Sequence, residues 1–234
     1  MLSTGVVPPW FARPFAVGGL VFFIDALLYF AYRFVGPFGV ERAGRVDGRL
    51  VVFDVVIFSV FALHHSLFAR TAIRKRVTGL VGSLERSVYV WIASALFVAV
   101  CALWRPIAGA AWRIDQPVVA WTLRAAQLVG AWLAVRSALM IDLFELAGLR
   151  EARPAAFKPA GPYGWVRHPI YLGWFLMVFA VPHMTLTQFV FAGTSSLYLL
   201  IAIPFEERSL RHSTSGAYDR YMREVPWKLL PHVY

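Results

Sequence analysis

The chain has 234 residues, of which 59% are apolar and only 15% charged, with a mean hydropathy of +0.61 and a formal net charge of +10. A water-soluble domain is nearer half apolar and a quarter charged, so this composition excludes an ordinary soluble enzyme. Nor does the charge call for nucleic acid, because the basic residues gather in the connections between apolar runs, as they do in membrane proteins.

Apolar segments are predicted at about 14–35, 50–69, 88–107, 118–140, 169–182 and 185–204, read against the roughly 20 residues needed to cross the hydrocarbon core. The expected fold class is all-α: a polytopic transmembrane helical bundle of about six spans, including a C-terminal helical hairpin, plus a cytoplasmic interfacial C-terminal helix. It is read as a single integral-membrane domain over 1–234, with an N-terminal bundle over 1–140 and a cofactor-binding half over 141–234. The first segment is too long for a cleaved signal peptide and is expected to remain. With both termini in the cytoplasm, the inside connections hold fifteen Lys and Arg and the outside connections six, so the positive-inside rule predicts that orientation. The same excess suits anionic headgroups. Membrane lipids are an expected partner; nucleic acid is not.

In chain order, segment 1 carries Asp25 in mid-span. A carboxylate there is costly, so a proton or a buried arginine is expected on it. Segment 2 ends in His64-His65-Ser66. Glu85 and Arg86 stand at the start of segment 3, which holds the single cysteine, Cys101. One cysteine forms no intrachain disulfide, and no Cys/His spacing suggests a metal site. Segment 4 carries Arg124 and Arg136 and runs into Asp142 and Glu145. Segment 5 opens with Arg167-His168-Pro169. Segment 6 follows a tight hairpin at Pro182-His183-Met184-Thr185 and ends at Glu206-Glu207. In the predicted orientation the clusters of segments 2, 4, 5 and 6 share the cytoplasmic face.

Pro169 fits the first position of a helix, where a missing N–H costs nothing. The N–H groups beyond it, with the positive end of the helix dipole, form a seat for a carboxylate or phosphate, to which Arg167 and His168 add positive charge. Gly173 permits close approach of another helix or a ligand. Glu206 and Glu207 can accept hydrogen bonds from hydroxyls or an ammonium group. Tyr163, Trp165, Tyr171 and Trp174 can receive a positive centre on their rings. A ligand with a carboxylate, an amine, a ribose and a positive centre suits this set, and S-adenosyl-L-methionine is such a ligand.

The blocks Gly161 to Gly173 (GPYGWVRHPIYLG), Glu206 to Leu210 (EERSL) and Gly216 to Pro226 (GAYDRYMREVP) resemble the isoprenylcysteine carboxyl methyltransferase superfamily of integral-membrane methyltransferases. The resemblance implies S-adenosyl-L-methionine as cofactor and no Rossmann domain. It also implies cofactor contacts at Tyr163, at His168-Pro169-Ile170-Tyr171 and at Glu206 and Glu207, with Arg167 beside them. Isoprenylcysteine enzymes carry a carboxylate-binding arginine about one turn before the glutamate, where this chain has Ile201-Ala202-Ile203-Pro204. Other stretches, His65 to Arg70, Leu84 to Val90, Trp104-Arg105-Pro106 and Met184-Thr185, are similar to the methanethiol S-methyltransferase and NnrU-like branch, as more loosely is Ile141 to Arg150. That branch implies S-methylation of a small apolar thiol such as methanethiol, in a bacterial inner membrane. An isoprenylcysteine or other lipid-like acceptor, a non-enzymatic NnrU-type protein and an NADPH-dependent membrane reductase are the alternatives.

A small thiol is mostly protonated at neutral pH, and histidine is the usual base for such a proton. His65 is the candidate base and His64 the less favoured neighbour, since adjacent helical residues point about 100° apart. Arg136 or Arg86 would lower the thiol pKa by proximity. The tail from Glu207 to Tyr221 reads as an interfacial helix, either an anchor or a lid over the cofactor.

Overall fold

The computed structural model describes residues 8–68, 77–141, 149 and 160–234. Among these, seven α-helices and one two-stranded ribbon account for the architecture. Five helices are long and apolar enough to cross a membrane, and the protein is an integral-membrane helical bundle. Large apolar residues lie outward: along one stripe of the fourth helix, Trp121, Leu128, Trp132 and Val135 are all more than half exposed, as lipid-facing side chains are. The residues Asp142 and Glu145, most of the loosely matching 141–150 stretch, and Ala69-Arg70 lie outside the described residues.

The described residues fall into two compact units, one up to residue 108 and the other of 109–141 with 160–234. Within the second unit, the helix 117–138 packs on the C-terminal half.

The first unit contains α1 (Pro9–Val35), α2 (Gly48–Phe68) and α3 (Glu85–Leu103), with 3₁₀ turns at Pro37–Gly39 and Gly82–Leu84. The α1–α3 contact is set by size: Gly18 and Gly19 receive the ring of Trp91, and a methyl group on either would stand 3.1 Å from that ring. The Trp91 indole N–H donates to the Phe15 carbonyl at 3.0 Å. Phe30, Phe61 and Phe97 make an aromatic core at centroid separations of 5.3–5.7 Å. Cys101 is fully buried there. Asp25 lies on an exposed face of α1 and makes no ion pair among the described residues. Asp54, by contrast, is fully buried in this unit and accepts the Arg105 backbone N–H at 2.9 Å.

The second unit contains β1 (Ala110–Arg113), α4 (Pro117–Ala138), α5 (Pro169–Phe179), β2 (His183–Thr185), α6 (Leu186–Ser213) and α7 (Ala217–Glu224). With 11 residues α5 is about 16 Å long, near half the hydrocarbon thickness. The turn before α6 is not a free hairpin tip. Its residues pair antiparallel with β1, in the register Trp112 to Met184 and Arg113 to His183, and Trp112 Nε1 donates to the Val181 carbonyl at 2.8 Å. Thr185 and Gln188 then start α6 with reciprocal side-chain-to-backbone bonds of 3.1 and 3.2 Å, a capping box that satisfies two otherwise unpaired N–H groups.

The α4–α5 crossing has no room for side chains. A methyl on Gly173 would lie 2.6 Å from both the Ala134 nitrogen and the Gly130 oxygen, and one on Gly130 would lie 2.7 Å from the Gly173 oxygen. Gly173 therefore serves approach by a helix. α6 continues through Glu206 and Glu207 to Ser213, so the carboxylates sit within the helix rather than at its exit. Gly216, at φ 84°, turns the chain into α7, a conformation that costs glycine no steric strain. The tail helix thus starts at Ala217 rather than near Glu207.

Candidate active site

Two helix segments about 40 residues apart build the site. Pro169 at the first position of α5 stops the helix from extending backward and leaves Arg167 and His168 on its approach. Both are buried, at 6% exposure each. Opposite them, α6 presents Glu206 and Glu207 on consecutive positions, and the structure separates the two.

Glu207 faces inward. Its Oε1 accepts from Arg167 Nε at 2.7 Å and lies 3.2 Å from His168 Nε2, with the Tyr218 hydroxyl at 3.5 Å. Glu206 faces outward, its side chain 45% exposed. Its Oε2 accepts from the Tyr171 hydroxyl at 2.8 Å and lies 3.8 Å from His168 Nδ1. The imidazole therefore stands between two carboxylates, with its ring stacked on Tyr171 at 5.3 Å and 16°.

The tail closes the inner side of this network. Arg167 Nη1 donates to the carbonyls of Val225 at 2.9 Å and Pro226 at 2.6 Å. The backbone N–H groups of Arg167 and His168 donate to the carbonyls of Trp227 and Lys228, each at 2.9 Å. From α7, the Tyr221 hydroxyl donates to the Tyr163 carbonyl at 2.8 Å, and Tyr218, Tyr221 and Val225 form one buried cluster. Burial pushes the Tyr221 phenol up to about 12. It likewise holds Tyr163 above the ordinary phenol range, with the Glu206 carboxylate adding to the shift. Both phenols stay protonated donors at physiological pH.

Arg167, His168, Pro169, Tyr171, Glu206 and Glu207 are thus brought together, with Ile170 half-buried on the first turn of α5 and Tyr163 joined through Tyr221. Arg167 is directed at Glu207 and the tail carbonyls. Tyr218, Val225 and Pro226 were not singled out for the site by sequence reasoning. Their signal is the spacing G-x-Y-x-x-Y-x-x-x-V-P from Gly216 to Pro226, which puts two tyrosines on one helical face ahead of a chain-stiffening proline.

Arg136 belongs to this unit and is exposed in the last turn of α4, where a cation is favoured by the helix dipole. His65 and Arg86 belong to the first unit. His65 Nδ1 lies 2.7 Å from the Tyr89 hydroxyl, and Arg86 is half-buried beside buried Glu85 at the start of α3. No group of three or more His, Cys, Asp or Glu able to hold a metal occurs among the described residues.

The chain is 35% identical over 232 residues to Methanethiol S-methyltransferase of Mycobacterium tuberculosis, covering 89% of this chain and 94% of that protein. It is 34% identical over 193 residues to Methanethiol S-methyltransferase of Crocosphaera subtropica, covering 78% and 75%. It is also 31% identical over 163 residues to Nurim of Xenopus laevis, covering 62% and 57%. No family model matches the chain. No solved structure matches it.

Proposed function

The chain belongs to the methanethiol S-methyltransferase family, and from that premise we propose that it is a membrane methyltransferase that binds S-adenosyl-L-methionine in its second unit and methylates a small thiol to a thioether. The observation that carries the donor assignment is the division of labour between Glu206 and Glu207. One carboxylate is locked by Arg167, while the other is half-exposed and held by a phenol and an imidazole. An outward carboxylate flanked by aromatic rings fits a ligand with a sulfonium, an ammonium and ribose hydroxyls, through hydrogen bonds and cation–π contact. Glu206, Tyr171, Tyr163 and His168, with Pro169 and Ile170 at the α5 mouth, are the residues that would hold it. Glu207 and Arg167 fix their positions.

The chemistry supplied by the bound donor is a methyl group activated on a sulfonium sulfur. What the protein adds is alignment, exclusion of water and removal of the thiol proton; alignment alone accounts for much of the acceleration in such displacements. The proton-accepting role is assigned to His65, with Arg136 or Arg86 as the cation that favours thiolate. The orientation with both termini in the cytoplasm of a bacterial inner membrane is part of the same proposal, and rests on the distribution of Lys and Arg. A small apolar thiol reaches such an enzyme from the bilayer.

The test is a product assay. Purified protein in detergent with S-adenosyl-L-methionine and methanethiol should release dimethyl sulfide and S-adenosylhomocysteine in equal amounts. Donor binding without thioether, together with methylation of a prenylcysteine, would move the acceptor to a lipid.

A further inference from the structure

The end of α2 holds a histidine whose surroundings are not explained by the network of the second unit. Both ring nitrogens of His64 are shielded from solvent and have no hydrogen-bond partner among the described residues. A neutral imidazole carries one donor and one acceptor, and leaving both unpaired in an apolar setting is unfavourable. Aromatic rings flank it instead. Phe68, one turn on along the same face, lies with its ring centroid 4.4 Å away. The Tyr89 ring of α3 lies parallel to it at 5.9 Å and 12°. Tyr89 turns its hydroxyl to the adjacent histidine instead, 2.7 Å from His65 Nδ1. Tyr89 thus contacts both histidines, although they point about 100° apart on the helix.

An unpaired imidazole set against two aromatic rings selects for a particular chemistry. The rings of Phe68 and Tyr89 against His64 favour an apolar, polarizable partner over a carboxylate or phosphate. A short alkyl thiol brings one weak S–H donor, a polarizable sulfur that packs well on aromatic rings, and otherwise apolar surface.

We propose that His64, flanked by Phe68 and Tyr89, is the binding residue for a small alkyl thiol, a ring nitrogen accepting the S–H hydrogen bond while the alkyl group rests on the two rings. This rests on the methyltransferase reading and narrows it, transferring the acceptor contact from His65 to its neighbour. His65, tied to the same Tyr89, then orients the slot.

The experiment uses the full chain in detergent, with histidine labelled with ¹⁵N, titrated with ethanethiol in the absence of any methyl donor. The His64 resonance is assigned by its disappearance in His64→Phe, a substitution that keeps the ring and removes the nitrogens. The expected result is a saturable shift of the His64 nitrogens with ethanethiol and none with ethyl methyl sulfide, which lacks the S–H. In turnover, His64→Phe should raise KM for the thiol at least tenfold while S-adenosyl-L-methionine binding, read by titration calorimetry, stays as in the wild type. A His64 resonance unmoved by ethanethiol, or moved equally by the thioether, overturns the assignment, as does an unchanged KM in His64→Phe. Absence of donor binding in the wild type is read separately and counts against the methyltransferase reading itself.

Discussion

Arg167 Nε and Glu207 Oε1, 40 residues apart in the chain, meet at 2.7 Å with their side chains 4% and 9% exposed. A pair this well buried behaves differently from a surface salt bridge: deleting one partner strands the other's charge in a poorly solvated place, at a cost of about 3–5 kcal/mol. Glu207→Gln and Arg167→Met should each lower the thermal unfolding midpoint in detergent sharply. The effects should not add, because the second deletion removes the charge that the first had stranded. Full additivity would show that the pair contributes nothing as a pair.

Glu206 should respond in the opposite way. With nearly half its side chain exposed, Glu206→Gln should leave the stability within about 0.5 kcal/mol of wild type. It should nevertheless weaken S-adenosyl-L-methionine binding by about tenfold, near 1.4 kcal/mol. Measuring stability and donor affinity on both variants separates the two carboxylates; equal behaviour would contradict the division between brace and contact.

The α4–α5 crossing predicts steric intolerance. Gly173→Ala must push apart backbone atoms that stand 2.6 Å from the new methyl, which is rigid main chain and not a yielding side-chain tip. A loss of 1–3 kcal/mol or more follows from overpacking of this kind. Gly193→Ala in α6, where the new methyl meets nothing within 4 Å, is the control and should be neutral or slightly stabilising through helix propensity.

The tail is an integral part of the site. Truncation before Gly216 removes the carbonyls of Val225, Pro226, Trp227 and Lys228 that receive Arg167 and the two backbone N–H groups. It should therefore cost folded protein, seen as aggregation on size exclusion. A folded truncate lacking only donor binding would instead establish a detachable lid.

Alkaline pH tests the same junction. The Tyr221 phenol rises from 10.0 to about 12 in the folded protein, through burial first, with Glu207 adding to the rise and Arg167 opposing it. A phenol held more tightly protonated when folded contributes stability that is complete below pH 10 and is lost as pH rises through about 12. Tyr221→Phe should blunt that alkaline loss while costing about 1 kcal/mol at neutral pH for the bond to the Tyr163 carbonyl.

The sequence carried the pairing of the Arg167-His168-Pro169 block with Glu206-Glu207, because a proline marks a helix start and hydropathy marks where charge can re-enter. It did not carry which glutamate turns inward. Adjacent helical positions differ by about 100°, and the choice depends on Tyr218 and on tail carbonyls supplied from elsewhere in the chain. Hydropathy also ended segment 6 at its first charges, whereas α6 runs on to Ser213; apolar content reports the membrane boundary and not the helix boundary. The ribbon between Ala110–Arg113 and His183–Thr185 was illegible because strands of four and three residues show no alternation to detect. The stacking of His64 on the same tyrosine that meets His65 depends on α3, which no local pattern in α2 encodes.

The central claim is that the second unit binds S-adenosyl-L-methionine through the outward face of this network. The most direct measurement is isothermal titration of S-adenosyl-L-methionine and S-adenosylhomocysteine into the purified protein in detergent, beside Glu206→Ala and His168→Ala. Saturable binding by the wild type, lost in both variants while their unfolding transitions persist, is the predicted result. A folded wild type that binds neither compound, or variants that bind as the wild type does, would contradict it.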